Sequence, residues 1–143
     1  MRDKTLNLLG LMRRANAIAL GEENTGAAIR QGKAKILLIA EDASDNARKR
    51  AASFAAGRSA PVVPLPFSKE EIAGRVGVQG CSMAAVTDLG FARALLDLLA
   101  AQWPEEYAEQ AAELARRLER EKKRRSSPTQ ERKKSIGKRR TNA

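Results

Sequence analysis

Residues 36–40 (ILLIA) form an unbroken apolar run, and this run constrains the fold more than any other feature of the sequence. A strand that is apolar at every position must be covered on both faces, as in a sheet lying between two layers of helices. Because the chain is only 3% aromatic, Leu, Ile, Val, Ala and Met must fill its core, which is typical of helices packed on a sheet. We therefore expect an α/β fold and not an all-β sandwich.

The segments on either side of this run alternate between helical and extended patterns. Strands are predicted at 18–20, 36–40, 61–65 and 83–87, and helices at 3–14, 22–31, 44–56, from 68 to a break at Gly74, and at 91–101. Pro64 weakens the third strand, so we expect that strand near an edge of the sheet. The alternation predicts a three-layer α/β/α sandwich with a central mixed sheet, forming one body over residues 1–102.

A C-terminal extension follows the boundary that Trp103 and Pro104 mark. Residues 103–123 have a helical composition with a thin apolar stripe, so a helix is predicted there. Residues 124–143 have almost no apolar content and cannot repay the entropy of ordering, so a disordered basic tail is predicted.

The net charge of +10 is concentrated at the C-terminal end of the chain. Residues 1–115 carry 14 basic and 14 acidic side chains, whereas residues 116–143 carry the other 13 basic side chains against 3 acidic ones. Such a block gains affinity for any polyanion by releasing counterions, without selecting a sequence. The extension therefore indicates a polyanionic partner.

Several classes of function are disfavoured by what the sequence lacks. The chain has no His and a single cysteine, Cys81, which excludes classical zinc sites, intrachain disulfides and catalysis by Ser-His-Asp or Cys-His sets. No apolar run approaches the about 18 to 20 residues of a membrane span, and the first twenty residues lack the apolar block of a signal peptide. We expect a cytoplasmic protein without a membrane partner.

Gly21 opens a helix in the stretch GEENTGAAIRQG. No Gly-Lys-Ser/Thr follows, as in a phosphate-binding loop, and the three-glycine spacing of a dinucleotide site is absent, so no nucleotide cofactor is expected. What remains is a helix N-terminus whose free N–H groups and positive dipole end can accept a phosphate or a base edge. Ordinary capping of the helix is the equally open alternative.

Three carboxylates follow predicted strands at their ends and give the only catalytic alternative. Glu41 and Asp42 follow ILLIA, and Asp88 follows the strand at 83–87, where open α/β sheets place ligands. Nothing nearby in the sequence supplies a convincing nucleophile or metal partner, so capping of the following helices is favoured. Cys81 has no adjacent base and is interpreted as an inert small residue. We expect no enzyme activity, metal, cofactor or small-molecule substrate.

Two phrases of the sequence resemble the kink-turn RNA-binding ribosomal-protein family, and in particular its small bacterial YlxQ-like branch. These phrases are LLGLMRRANAIALGEENTGAAIRQGKAKILLIAEDASDN and GVQGCSMAAVTDLGFARALLDLL. The resemblance covers about residues 3–101. It implies a three-layer α/β/α domain that clamps sharply bent RNA and has no catalytic role.

The first contact that the resemblance implies is the loop and helix start at 21–27. In the family this segment meets sheared G·A pairs, usually through an Asn-Glu pair and a following Lys. Those positions hold Glu23, Asn24 and Ala27 in this chain. Glu23 is acidic where the family's Asn donates, and Ala27 lacks the phosphate-contacting cation, whereas Asn24 retains the ability to read a base edge.

The second implied contact is the loop before the last strand, which in the family packs against an extruded nucleotide. Its glycines permit a close approach of the backbone to RNA. Arg30 and Lys33, which flank the end of the second helix, add candidate phosphate contacts. The predicted RNA-binding residues are Gly21, Glu23, Asn24, Thr25, Ala27, Arg30, Lys33, Val78, Gln79, Gly80, Cys81 and Ser82.

The sequence therefore predicts a non-catalytic, monomeric protein that binds structured, kink-turn-like RNA, ribosomal RNA included, in association with the ribosome or translation. The alternative is a protein-interaction adaptor on the same fold, with the basic tail as an unspecific binder of polyanions. This alternative is favoured by the incomplete Asn-Glu-Lys set and by the neutral charge of residues 1–115.

Overall fold

The computed structural model of the chain describes residues 2–58 and 60–126, and of residues 125 and 126 the backbone only. Within them the elements are α1 (Arg2–Arg14), β1 (Ile18–Leu20), α2 (Glu22–Arg30), β2 (Ile36–Ile39), α3 (Asp45–Ala55), β3 (Val62–Pro64), α4 (Lys69–Val76), β4 (Met83–Val86), α5 (Leu89–Gln102) and α6 (Pro104–Ser126). The described strands form one sheet in the order β1-β4-β2-β3. β4 is antiparallel to β1 and β2, whereas β3 is parallel to β2.

The predicted three-layer sandwich with a mixed sheet is confirmed, because the two faces of the sheet bury separate cores. Leu38 packs in a core formed with α1, α4, α5 and α6, whereas Leu37 packs in a core formed with α2 and α3. All four residues of β2 are buried. The apolar run therefore lies at the centre of the sheet with helices on both sides.

The polar residues beside the strands cap helices. Ser44 accepts a hydrogen bond from the N–H of Ala47, and Ser68 forms a reciprocal capping box with Glu71, as predicted. The predicted break at Gly74 was wrong. Gly74 lies inside α4, because a single helical glycine is tolerated, and α4 ends at Val76, where Gly77 caps it with a φ of 78°.

The C-terminal helix α6 is longer than predicted and packs against the sandwich. Its predicted apolar stripe is confirmed, since Tyr107, Ala111 and Leu114 are buried in the same core as α5. The Tyr107 hydroxyl donates to the carbonyl of Pro64 in β3, the edge strand. Residues 124–126 belong to α6, so the predicted disordered tail was wrong for these three. Its remaining residues, 127–143, lie outside the described part of the chain.

No helix among the described residues combines the length and the apolar content that crossing a membrane requires.

Candidate nucleic-acid interface

The turn before α2, residues 20–22, depends on a backbone conformation that favours glycine, and no side chain caps the helix. Gly21 has a φ of 92°, a region that side chains with a Cβ rarely adopt. The first hydrogen bond of α2 runs from the N–H of Thr25 to the Gly21 carbonyl. The N–H groups of the first turn therefore have no intrahelical acceptor, and they form a positive end of the helix dipole that can face an anion.

Asn24 is exposed on the first turn of α2, and its amide is held in one orientation. Its Nδ2 donates to the carbonyl oxygen of Leu20 at 2.9 Å. This bond uses one amide donor, so the carbonyl Oδ1 and the second N–H are the atoms that Asn24 can offer a base edge. Glu23 beside it is exposed as well, and Ala27 one turn later is half-buried.

The predicted second contact, residues 78–82, belongs to the 77–82 loop, which lies next to the Gly21 turn. The backbone N–H of Gly21 donates to the carbonyl oxygen of Met83 at 3.0 Å, and Cys81 Sγ donates to the same oxygen at 3.3 Å. Strands β1 and β4, which carry the two loops, are paired antiparallel, so the end of one meets the start of the other. The two predicted contacts are therefore neighbours in the fold.

Two of the predicted residues are buried beneath this surface. Thr25 is 0% exposed, and Cys81 is 3% exposed. Burial raises the pKa of the Cys81 thiol, while hydrogen bonds with the backbone of Gly21 and Met83 lower it by less. Thr25 and Cys81 thus support the two loops from below, and neither side chain reaches the surface. Val78 and Ser82 are half-buried, and Gln79 and Gly80 are exposed.

An open depression of about 580 Å³ lies between α2 and the 77–82 loop, and we call it the α2 depression. Four of the predicted residues line it: Asn24, Ala27, Lys33 and Val78. Arg30 is exposed but lies outside its lining. Four further polar residues that line it were missed in the sequence: Arg13, Asn16, Gln31 and Thr87.

Arg13 is the most informative of the residues that sequence reasoning missed. It ends α1, and its Nη1 donates to the carbonyl oxygen of Val76 at 2.6 Å. Val76 ends α4 immediately before the 77–82 loop, so this bond fixes the start of the loop and sets a guanidinium beside the depression. In the sequence, Arg13 is a cation in the last turn of a predicted helix, where cations are favoured, so nothing there distinguishes it from a helix-end charge.

Two of the three carboxylates of the catalytic alternative bond the start of a helix: Asp88 that of the following helix α5, as expected, and Asp42 that of α4 and not that of α3. Asp42 Oδ1 accepts from the backbone N–H of Lys69 at 2.9 Å, and Asp88 Oδ1 accepts from that of Phe91 at 2.9 Å. Glu41 is exposed, and its own carbonyl accepts from Arg48. Within residues 2–58 and 60–126, no three His, Cys, Asp or Glu side chains cluster as a metal site would require.

Comparison with known proteins gives consistent results. Residues 3–96 match the family described as Ribosomal protein L7Ae/L30e/S12e/Gadd45 family. The chain is 38% identical over 98 residues to the RNA-binding protein YlxQ of Enterococcus faecium, across 68% of this chain and 93% of that protein. It is 36% identical over 96 residues to the RNA-binding protein YlxQ of Bacillus subtilis (strain 168), across 64% and 91% of the two chains.

Two solved structures share the fold. A protein of unknown function from Bacillus halodurans C superposes with a TM-score of 0.61 at 27% identity, over 66% of this chain and 95% of that one. The Giardia lamblia 15.5kD RNA binding protein superposes with a TM-score of 0.53 at 20% identity, over 67% and 82% of the two chains. The second likeness is one of fold alone.

Proposed function

The chain belongs to the ribosomal protein L7Ae/L30e/S12e/Gadd45 family, and from this premise we propose that it is a non-catalytic protein that binds structured, kink-turn-like RNA. The observation that carries the proposal is the meeting of the Gly21 turn and the 77–82 loop at the carbonyl of Met83, beside one open depression. Two relatives over 35% identical are named RNA-binding proteins, which supports RNA as the ligand.

Recognition of RNA would begin at the first turn of α2. Its uncapped N–H groups suit a phosphate or a carbonyl of a base, and the amide of Asn24 suits a base edge that both donates and accepts. Because Nδ2 is already bonded to Leu20, the amide needs little reordering when RNA arrives. A sharp bend exposes such edges, whereas the deep, narrow major groove of a straight RNA duplex keeps them out of reach of side chains.

The cation missing at position 27 would be replaced by two others. Arg13 and Lys33 both line the α2 depression together with Ala27, and both are exposed. A guanidinium has five N–H donors, so Arg13 can keep its bond to Val76 and still donate to a phosphate. This arrangement retains backbone contacts without the family's usual Lys.

The 77–82 loop would hold the nucleotide that a sharp bend turns out of the stack. Val78 is half-buried and lines the α2 depression, so it offers an apolar surface to a base. Gly80 has a φ of 68°, and a Cβ at this position would meet no atom within 4 Å, so the backbone is open to the outside. RNA backbone can therefore approach this loop closely.

The finer features of the proposal rest on the sequence. We propose that the protein acts as a monomer in the cytoplasm, on ribosomal or other structured RNA linked to translation, with the basic residues after 115 adding unspecific affinity. The adaptor alternative keeps the same fold and is favoured by the acidic pair Glu22 and Glu23 at the start of α2.

Equilibrium binding to two RNAs of equal length, one with a sharp internal bend and one a straight duplex, tests the proposal. The full chain is expected to prefer the bent RNA at every salt concentration, because shape recognition adds to a charge term common to both. Equal affinity for the two RNAs would overturn bent-RNA recognition and favour the adaptor.

A further inference from the structure

A second basic surface lies along α6, a helix that follows the part of the chain that matches the family. The family match ends at residue 96, and α6 begins at Pro104. An open groove of about 440 Å³ lies between α6 on one side and Arg58 and Pro61 on the other, and we call it the α6 groove. Three guanidinium side chains line it, from Arg58, Arg117 and Arg120. The L7Ae-like body alone does not contain this surface.

The α6 groove lies on a helix that packs against the sheet. Gln110 Nε2 donates to the carbonyl oxygen of Val62 at 3.3 Å, and Leu114 is buried in the core. Arg117 and Arg120 follow within the next two turns of α6, and residues three apart are neighbours on a helix surface. Their Cα positions are therefore fixed relative to the sheet.

The third arginine connects the α6 groove to the helix of the proposed RNA site. Arg58 Nη1 lies 3.4 Å from the carbonyl oxygen of Ile29, near the C-terminal end of α2. α2 has nine residues, so its two ends are about 13 Å apart. The Gly21 turn lies at one end of this helix, and Arg58 with the α6 groove lies beside the other.

The charge of the α6 groove is positive despite one carboxylate. Glu113 also lines it and lies 2.7 Å from Arg116 and 3.8 Å from Arg120. Hydrogen bonding and charge from Arg116 hold the pKa of Glu113 below its usual value. These side chains are more than half exposed, so the pairs are weak and can exchange for a phosphate partner.

We propose that the α6 groove is a second RNA site, which takes the phosphate backbone of a stem that flanks the bent RNA held at the α2 depression. The inference rests on the proposed function. Guanidinium groups bind phosphate oxygens through paired, charge-assisted hydrogen bonds, and three of them along one groove suit successive phosphates of one strand. RNA seated at the Gly21 turn would reach the groove by following α2.

A pair of matched double variants in the full chain tests the inference. Arg117→Gln with Arg120→Gln removes two charges from the groove, whereas Lys122→Gln with Lys123→Gln removes two charges from the same helix outside its lining. Each protein is titrated with a bent RNA carrying short stems and with the same RNA whose stems are longer by one helical turn. Thermal melts check that each variant is folded.

The parent is expected to bind the long-stem RNA more tightly, and the groove variant to lose about tenfold on that RNA with little change on the short one. The matched variant should lose a similar, small amount on both RNAs. Glu113→Gln, which removes the groove's carboxylate, should strengthen long-stem binding severalfold. Equal losses for the two double variants, or no gain from longer stems, would overturn the inference.

A straight duplex of equal length, titrated with the same proteins, separates this inference from the proposed function. If the parent prefers bent to straight RNA but the groove variant binds long and short stems like the parent, the second site is wrong and the proposed function stands. If the parent has no preference for bent RNA, the proposed function fails, and the second site fails with it.

Discussion

The backbone nitrogen of Gly21 donates to the carbonyl oxygen of Met83 at 3.0 Å, and this bond joins the start of α2 to the start of β4. The thiol of Cys81 donates to the same carbonyl. The turn and the 77–82 loop are therefore mechanically coupled through one acceptor. Two segments almost sixty residues apart in the chain act as a single surface, which is what a clamp on a bent RNA needs.

Asn24→Ala is expected to weaken binding to bent RNA by about 1 to 3 kcal/mol, the scale of a base-edge contact. Binding to a straight duplex should hardly change, since that term depends on charge. Asn46→Ala is the matched control, because Asn46 is also exposed on the first turn of a helix, α3, away from the α2 depression. Equal effects of the two changes on bent RNA would show that Asn24 reads no base.

Ala27→Lys is expected to strengthen binding to a kink-turn by about 0.5 to 1.5 kcal/mol, because it adds a donor and a charge beside the RNA. Ala27 is half-buried at the α2 depression, so a longer side chain can extend from it. Ala52→Lys on the exposed side of α3 adds the same charge elsewhere. Isothermal titration of both variants with kink-turn RNA measures the change in affinity. An equal gain for the two would show that position 27 does not lie beside the RNA.

Much of the fold could be predicted because its signals are local. The run at 36–40 determines a buried strand, and Ser44 and Ser68 cap helices through hydrogen bonds to N–H groups three residues away. The order β1-β4-β2-β3 could not be predicted in this way, because it depends on pairings between distant segments. The docking of α6 could not be predicted either, because it involves a hydrogen bond between Tyr107 and Pro64, which are 43 positions apart in the sequence.

The candidate site was only partly predictable for the same reason. The resemblance indicated both loops, but burial of Thr25 and Cys81 follows from helix and loop packing that no residue pattern encodes. Arg13 was missed because its local role as a helix-end cation was sufficient to explain it. Its contact with Val76 requires α1 and α4 to be neighbours, which is a tertiary fact.

Thr25→Val is expected to leave the free energy of unfolding unchanged or to raise it by about 1 kcal/mol. Thr25 Oγ1 is buried and has no hydrogen-bond partner among the described residues, so valine removes a desolvated polar atom at nearly equal volume. Thr5→Val is the control, because Thr5 Oγ1 accepts from Gln102 at 2.8 Å. Urea denaturation should find Thr5→Val less stable by about 0.5 to 1.5 kcal/mol. A comparable loss for Thr25→Val would mean that its hydroxyl does have a partner, such as a buried water.

Gly80→Val tests the coupled surface from the side of the 77–82 loop. With a φ of 68°, Gly80 cannot be replaced by a β-branched residue without strain of about 1 to 2 kcal/mol, although a Cβ would meet nothing within 4 Å. The cost falls on the loop backbone, so the loop should shift and lose its contact with bent RNA while binding of straight duplex stays the same.

Gly57→Val imposes the same strain at a φ of 71°, also in open space, at the end of α3 and away from the α2 depression. Binding to bent RNA with short stems should therefore fall for Gly80→Val and persist for Gly57→Val, with circular dichroism native for both. If bent-RNA binding survives in Gly80→Val, the loop does not contact RNA, and recognition rests on the Gly21 turn alone.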